Sequence, residues 1–479
     1  MPLILGGNQL DTGAYEVSNS LIFNDDDSAS LTRTPSSDGN KKTFTWSGWV
    51  KRANITSTNQ HLFAVGTSGS NFTIIRFNGT NLRYSHQASG STDANLITSQ
   101  VFRDPSAWYH FVVAVDNTQS TASDRVNMYV NGTLVTNFGT EDYPSNIDTH
   151  VNATNIHRIG DHVDSATQYF DGYLSEVNLI DGQQLLPTSF GEFNDNGVWI
   201  PKKYTGSYGT NGFFLEFKQT GTSQNSSGIG ADTSGNDNHF AVSNLAAIDV
   251  VTDTCTNNFA TINSESNYYA SAILSQGNTI CKTDGAAYTY SVSSIGVSAG
   301  KWYMEDKIGA GINNWFGVGI AEGESSNASG VLGRDTYFPA GNEYGQIGWF
   351  GYGTDFVYQN DGYYSGSTSD YDTDGYTTND ILGIALDADN NNVKFYKNGT
   401  VQNSGNAFTL GSSSTGFWHF AFGDYDGQNA HFHTHNLNFG QPSFSISSGN
   451  SDANGYGNFE YAVPSGYYAL CTKNLAEFG

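Results

Sequence analysis

The chain has 479 residues, with 46 Asp and Glu against 20 Lys and Arg, which gives a formal net charge of -26. This excess of acid disfavours a protein that tracks nucleic-acid phosphates, and no apolar run reaches the roughly 18 residues that a membrane-spanning helix needs. Aromatic residues make up 14% of the chain, which argues against disorder. The length suits two to four domains of about 100–200 residues. With 55 Gly and few helix formers, the composition favours an all-β protein of short strands.

The start of the chain and the cysteines carry no signature of export. Residues 1–7 form a very short apolar run, and no basic residue precedes Arg33, so we do not expect a secretory signal. Cys255, Cys281 and Cys471 are sparse and lack CxxC spacing, so we expect reduced thiols rather than a disulfide framework or a zinc site.

The first predicted elements are rich in aromatic residues. Phe44–Val50 alternates large apolar with small residues, and Trp108–Val113 is a continuous apolar run that is typical of a strand buried on both faces. Taken in order, five segments resemble a laminin-G-like, concanavalin-type jelly roll over roughly residues 15–190: FTWSGWVK, AWYHFVVAVD, NMYVNGTLV, RIGDH and YFDGYLSEVNLI.

An approximate internal repeat links two distant parts of the chain. Each copy has an apolar segment ending in Asp and then an alternating segment ending in Asn-Gly-Thr: Ala114–Asp116 with Val126–Thr133, and Ala385–Asp387 with Val393–Thr400. Asn-Gly favours a type I′ turn, so the pattern predicts β-hairpins that turn at Asn131-Gly132 and at Asn398-Gly399. The period of two places Val126 and Met128 inward and Tyr129 outward.

The second copy lies among further motifs that together resemble a SPRY domain over roughly residues 291–441: Gly300–Glu305, Phe316–Ala321, Gly348-Trp349, Asp380–Asp387 and Asn438–Gly440. The predicted fold is therefore all-β, with two concanavalin-like β-sandwich (jelly-roll) domains joined by an ordered connector. The expected organisation is a laminin-G-like jelly roll with a short N-terminal arm over 1–190, a connector over 191–290 whose strands complete or pack on the first sandwich, a SPRY-like sandwich over 291–441, and a tail over 442–479 that packs back.

The sequence offers little support for catalysis. Retaining glycosidases of this shape place two carboxylates on alternate positions of one strand, about 5–5.5 Å apart. The nearest strings, Glu176–Asp181 and Glu305-Asp306, do not have that spacing. We therefore expect a protein without enzymatic activity.

Two groups of residues are candidate metal ligands. Asp161, Asp164 and Asp171 offer the hard oxygens that calcium prefers, and the laminin-G resemblance implies calcium in some members, although Asp near Gly is more often a turn residue. His431, His433 and His435 would share one strand face at spacings of about 6.6–7 Å, too wide for one ion in a single chain. Three chains on an axis could instead share a metal, and the alternative is a solvated strand face. We expect no other cofactor.

Aromatic residues among Gly, Ser and Asp suggest a binding surface. Rigid aromatic rings in such surroundings are typical of surfaces that bind protein or sugar. The candidate binding residues are Trp315, Trp349, Tyr352 and Tyr425. The alternative is that these side chains fill the cores.

With the connector segments Gly197–Tyr204 and Asp232–Phe240, the whole chain resembles tail-fibre or virion-appendage proteins of tailed bacteriophages, particularly marine ones. The resemblance implies a non-enzymatic structural protein of the virion, made in the host cytoplasm, whose surfaces serve subunit contacts and host attachment. Its implied partners are copies of itself in a trimer or higher ring, other virion proteins and a host cell-surface glycan or receptor, but neither nucleic acid nor an inserted membrane. A tail, neck, nozzle or capsid position stays open. The alternative is a carbohydrate-binding or carbohydrate-hydrolysing lectin-like protein.

Overall fold

The computed structural model describes residues 15–55, 58–164, 168–269, 272–283, 289–309, 316–322, 347–350, 356–359, 362–363, 375–411, 413, 415–424 and 433–479. The described chain is built mainly of antiparallel strands, so the predicted all-β class is confirmed. It divides into two compact units, the N-terminal unit Asp11–Asn257 and the C-terminal unit Asn258–Gly479. Their boundary falls inside the predicted connector. Among the described residues, no helix combines the length and the apolar character needed to cross a membrane.

The strands of the N-terminal unit are β1 Ser20–Phe23, β2 Ser30–Arg33, β3 Thr43–Arg52, β4 Asn59–Ser68, β5 Asn71–Asn78, β6 Asn81–Ala88, β7 Ser91–Val101, β8 Trp108–Asp116, β9 Val126–Val130, β10 Thr133–Leu134, β11 Phe138–Asp142, β12 Ile156–Ile159, β13 Gly172–Asp181, β14 Gly191–Phe193, β15 Trp199–Pro201, β16 Phe213–Leu215, β17 Ala241–Ser243 and β18 Val250–Val251. Short 3₁₀ helices lie at Asp25–Asp27, Ala122–Asp124, Pro187–Ser189 and Ala247–Asp249.

These strands form two large sheets. The first has the order β10-β9-β8-β3-β13-β1-β18, with β16 also pairing with β13, and the second has the order β11-β7-β6-β5-β4-β12-β2-β17. Trp46 from the first sheet and Phe63 from the second belong to one buried apolar cluster, so the two sheets enclose a common core. Strands β16, β17 and β18 come from the predicted connector and join these sheets.

The elements of the C-terminal unit are β19 Ile262–Tyr269, β20 Ile273–Ser275, β21 Ile280–Lys282, β22 Thr289–Ser293, β23 Lys301–Ile308, β24 Phe316–Glu322, β25 Ile347–Phe350, β26 Phe356–Gln359, β27 Gly362–Tyr363, β28 Ile381–Asp387, β29 Asn392–Lys397, β30 Thr400–Val401, β31 Phe408–Thr409, β32 Trp418–Asp424, β33 Thr434–Asn438, β34 Tyr468–Ala469 and α1 Thr472–Phe478. A 3₁₀ turn lies at Asn403–Gly405.

The sheet orders of this unit are β19-β22-β32-β24-β25-β26-β27 and β20-β21-β33-β23-β28-β29-β30, with β31 on β29 and β34 parallel to β23. Both sheets contribute to one buried cluster that includes Trp302 and Trp349. The order β30-β29-β28-β23-β33 repeats the order β10-β9-β8-β3-β13 of the N-terminal unit. The sequence repeat is therefore also a repeat of topology.

Both predicted hairpins are confirmed. Asn131 and Gly132 have φ of 47° and 77°, and Asn398 and Gly399 have φ of 47° and 78°. Positive φ at both central positions is the type I′ geometry that matches strand twist. Each asparagine also ties its turn to the neighbouring strand, because Asn131 Oδ1 accepts from the His110 amide at 2.8 Å and Asn398 Oδ1 accepts from the Ile381 amide at 2.9 Å.

An additional apolar layer covers the outer side of the repeated sheet in each unit. In the N-terminal unit, Phe190 and Tyr208 pack on Val112 of β8 and on Tyr129 of β9. In the C-terminal unit, Phe459 and Val463 pack in a cluster with Tyr303 of β23, Ala385 of β28 and Tyr396 of β29. Tyr129 points away from the main core as predicted, yet it is buried, because the chain folds back over it.

Candidate functional site

The predicted aromatic binding residues do not form a surface in the described part of the chain. Trp349 has no exposed area, and its ring lies edge-on to Tyr376 at 5.1 Å and close to Phe395 at 5.5 Å. Its expected place on a binding surface is therefore corrected to a place in the core, where an apolar indole loses contact with water. Trp315, Tyr352 and Tyr425 lie outside the described residues.

The three candidate calcium ligands lie in different surroundings. Asp161 Oδ2 is 3.6 Å from Nε of Arg158, whereas exposed Asp164 accepts from the Gly69 amide. Asp171 is fully buried, and its burial raises its pKa well above the usual value for an aspartate. In the part of the chain that the structure describes, no three His, Cys, Asp or Glu side chains are grouped to hold a metal ion.

The histidine string is not a solvated strand face. His433 and His435 are both fully buried, and His431 lies outside the described residues. His435 Nδ1 is 2.6 Å from Oδ2 of Asp306, which is equally buried. This contact gives His435 a structural role in the sheet, between β33 and β23. The three cysteines are free thiols, with Cys281 and Cys471 buried.

The two acidic strings contain one unusual carboxylate each. Burial raises the pKa of Glu176 to about 7 and that of Glu305 to about 7. Glu305 accepts hydrogen bonds from the amides of Glu460 and Tyr461, at 2.9 and 2.8 Å, and so holds the C-terminal segment against β23. Glu176 accepts from the Tyr15 hydroxyl at 2.9 Å. Neither string presents two carboxylates on alternate positions of a strand.

A polar site that the motifs did not indicate lies on the outer face of the second sheet of the N-terminal unit. Successive residues of β5 point to opposite sides of the sheet. Ile75 and Phe77 belong to the buried core between the two sheets. Arg76 therefore points to the outer face. The register pairs it with His61 of β4 on one side and with Arg83 of β6 on the other. We call His61, Arg76 and Arg83 the basic row.

The guanidinium groups of the basic row bond to neutral acceptors. Arg83 Nε donates to Asn95 Oδ1 at 2.8 Å, and its Nη2 donates to Ser85 Oγ at 3.3 Å. Arg76 Nη1 donates to Gln168 Oε1 at 3.3 Å, and its Nη2 reaches Asn78 Oδ1 at 3.5 Å. Arg76 Nε is buried and has no hydrogen-bond partner. The row thus contains guanidinium N–H donors, such as Arg76 Nε, that form no hydrogen bond with the described residues.

The electrostatics of the row follow from burial and from like charge. Burial first, and then the charge of Arg83, lower the pKa of Arg76 to about 10, and burial lowers the pKa of Arg83. Both groups are nevertheless charged at pH 7. Among the described residues, Arg158 has a carboxylate partner in Asp161, but no ion pair includes Arg76 or Arg83.

The histidine of the row is held in its neutral form. His61 is fully buried, and burial, followed by His162 and Arg76, lowers its pKa well below the usual value. Its ring lies 4.5 Å from that of His162, and its Nδ1 is 3.1 Å from the carbonyl oxygen of Gln168. Because a carbonyl only accepts, Nδ1 carries the proton and Nε2 is an acceptor. Gln168 therefore contacts both His61 and Arg76.

The sequence contained only a weak signal for this site. An arginine at an outward position of an alternating strand is ordinary on a solvated face, and nothing local indicates which residues of β4 and β6 stand beside it. The register places these three side chains together, and register depends on pairing across the whole sheet.

Comparison with known proteins gives a match to one family model over part of the N-terminal unit. Residues 23–184 match the family model described as the concanavalin A-like lectin/glucanases superfamily. No curated protein matches the chain.

Several solved structures are similar at low identity. They include the SPRY domain of human HERC1, with 15% identity over 36% of this chain and 96% of that one and a TM-score of 0.28. A putative carbohydrate binding protein from Bacteroides ovatus has 14% identity over 48% and 58% of the two chains and a TM-score of 0.31. Domains LG4-5 of the mouse laminin alpha1 chain have 8% identity over 97% and 90% and a TM-score of 0.30.

The strand orders, the shared cores and the family match agree. The chain folds into concanavalin A-like β-sandwich domains of antiparallel sheets, and residues 23–184 match the model of the lectin/glucanases superfamily.

Proposed function

We propose that the chain is a non-enzymatic carbohydrate-binding protein, and that the outer face of the second sheet of the N-terminal unit binds the saccharide. The observation that carries this proposal is the basic row, with guanidinium donors beside the amide side chains of Asn95 and Gln168. Sugar hydroxyls both donate and accept hydrogen bonds, so a face with amides and guanidinium groups can bond to them directly. The family match of residues 23–184 supports the proposal.

The two sheets of the N-terminal unit differ in a way that favours this face. The outer side of the first sheet carries the apolar layer of Phe190 and Tyr208. The outer side of the second sheet also has a small buried cluster of Phe72, Ile74 and Val163, but beside Arg83 the side chains of Asn95 and Ile97 are half-buried. The partly exposed region around Arg83 can exchange water for ligand at lower cost than a buried apolar layer.

The test is a screen of the full chain against immobilised polysaccharides, followed by affinity measurements on those retained. We expect Arg83→Ala to lower the affinity at least tenfold. Arg103→Ala is the matched control. Arg103 is exposed, and its substitution removes the same charge elsewhere in the unit. Thermal unfolding of both variants checks that the fold is intact. Equal affinities for Arg83→Ala and the parent chain would overturn the assignment of this face.

The non-enzymatic part of the proposal has its own test. Incubation of the chain with each polysaccharide that it binds should release no reducing sugar above the background. Release that a single Asp or Glu substitution abolishes would show a hydrolase instead.

We also propose a place for this binding activity on a phage virion. The support is the order of the motifs along the sequence, in which the segments Gly197–Tyr204 and Asp232–Phe240 follow the laminin-G-like motifs and precede the SPRY-like motifs. On a tail or capsid appendage, a saccharide-binding face would serve host attachment. Immunogold labelling of intact particles tests this location, and particles without label would contradict it.

A further inference from the structure

The basic row combines two features that a neutral sugar would not require. Arg76 and Arg83 stand directly opposite each other on antiparallel strands and point to the same face. Like charges in directly opposed positions destabilise a sheet. Burial adds to this cost, because it removes water from both guanidinium groups. In the described chain, no carboxylate offsets the two charges.

From this arrangement we propose that the face selects an anionic saccharide and that half-buried Arg83 binds the oxyanion of the sugar, while buried Arg76 on the neighbouring strand adds positive charge beside it. The inference rests on the proposed function, since it names the ligand class of the same site. A guanidinium group presents its donors in a planar fork that matches carboxylates and sulfate or phosphate esters, and such charge-assisted bonds are about twice as strong as neutral ones.

The present partners of Arg83 leave room for such a ligand, whereas the Arg76 side chain is buried. Arg83 uses Nε and Nη2 for Asn95 and Ser85, and its Nη1 forms no bond within the described residues. Arg76 uses both Nη atoms and leaves Nε without a partner, although that atom is buried. An unsatisfied buried donor costs about 1–3 kcal/mol. An oxyanion at Arg83 would supply the missing negative charge for both groups.

The net charge of the whole chain disfavours non-specific binding of anionic polymers away from the basic row. With a net charge of -26, the protein repels polyanions at long range. At about 0.15 M salt the screening length is about 8 Å, so contact pairs act while the distant repulsion is damped. An anionic polymer should therefore bind through this face and not through charge in general.

The experiment measures the affinity of the full chain for three polymers: a neutral glucan, a polyuronate and a sulfated glucan. We expect one or both anionic polymers to bind at least tenfold more tightly than the neutral one. Arg83→Gln should remove this preference and Arg83→Lys should retain part of it, because lysine keeps the charge without the planar fork. Arg103→Gln serves as the control for charge, and thermal unfolding verifies the fold of each variant.

Each outcome decides between the two proposals. Preference for the polyuronate identifies a carboxylate as the bound group, and preference for the sulfated glucan identifies a sulfate ester. If all three polymers bind alike and Arg83→Gln weakens them equally, the proposed function holds and the selectivity for anions is wrong. If Arg103→Gln lowers anionic binding as much as Arg83→Gln does, the effect is general charge, which also overturns the inference. If no polymer binds, both proposals fail.

Discussion

Glu176 combines a strained backbone with a carboxylate that is shielded from water. It lies where the pairing register between β13 and β3 shifts, between Ser175 and Asn178, and its φ is 52°. Only 7% of its surface is exposed, and its carboxylate accepts from the Tyr15 hydroxyl. Burial disfavours the charged form and raises the pKa to about 7.

The stability of the N-terminal unit should therefore depend on pH through Glu176. The folded form binds a proton more tightly than the unfolded form, whose glutamate has its ordinary pKa near 4.5. Stability should fall as the pH rises from about 4.5 to about 7, and at about 1.4 kcal/mol for each unit of pKa the loss is up to about 3 kcal/mol. Glu176→Gln keeps an acceptor for Tyr15 and should flatten this part of the curve. Denaturant unfolding at several pH values measures it.

The exposed residue Glu192 provides the control, since its side chain keeps 52% of its surface in water. Glu192→Gln should leave the slope between pH 4.5 and 7 as it is in the parent chain. An unchanged slope in Glu176→Gln would show that another group causes the pH dependence.

Trp349 should matter for stability and not for ligand binding. Its indole is fully buried between Tyr376 and Phe395 in the C-terminal unit. Trp349→Ala should lower the free energy of unfolding of this unit by about 3–5 kcal/mol. Trp349→Phe, which refills much of the space, should lower it less. Denaturant unfolding tests the order, and a loss of saccharide affinity in a folded Trp349→Phe variant would contradict the buried role.

At the scale of elements, the two hairpins show what local sequence can predict. Asn-Gly after an alternating strand defines the turn type from four residues alone, and both copies adopt it. The apolar run at Trp108–Val113 likewise predicted a strand buried on both faces. What covers the second face was not predictable, because Phe190 and Tyr208 reach β8 through a long-range packing contact. The basic row was missed for the same reason, since register joins residues of three strands.

The glycine of the first hairpin carries a second constraint that a substitution can isolate. Gly132 has φ of 77°, and a Cβ there would collide with the ring of Trp199. Gly90 in the β6–β7 turn has φ of 82° with no atom within 4 Å of such a Cβ. In both Ala variants the left-handed backbone should lower the free energy of unfolding by about 1–2 kcal/mol. Gly132→Ala should cost more, by the amount needed to displace Trp199. Thermal unfolding of the two variants compares them directly, and equal losses would show that the ring moves aside freely.

At the scale of the whole molecule, each unit contains its own core. One buried cluster is drawn from residues 21–245 and another from residues 260–475. Separately expressed Asp11–Asn257 and Asn258–Gly479 should each unfold cooperatively, with near-ultraviolet circular dichroism spectra that sum to that of the full chain. A fragment that stays unfolded would show that one unit needs the other.

The sequence also predicts that the whole chain associates with copies of itself. Virion appendages follow the symmetry of the particle, and exposed strand edges need covering, so we expect a trimer or a higher ring. Light scattering across a range of concentrations measures the mass. A mass of 51.7 kDa at every concentration would be that of a single chain and would contradict the prediction.

The apolar layers over β8 and β28 have a consequence for how the two halves of the chain can diverge. Phe111 and Val113 of β8 face the core while Val112 and Ala114 face the covering layer, and β28 is buried along its whole length. Such a strand has no side on which polar substitutions accumulate freely. Mutational drift should erase the likeness between the units almost everywhere except along these strands and their hairpins. The sequence repeat is detectable in these same segments. A saturation-mutagenesis map of stability should therefore show two matching sets of positions there that do not tolerate polar substitution.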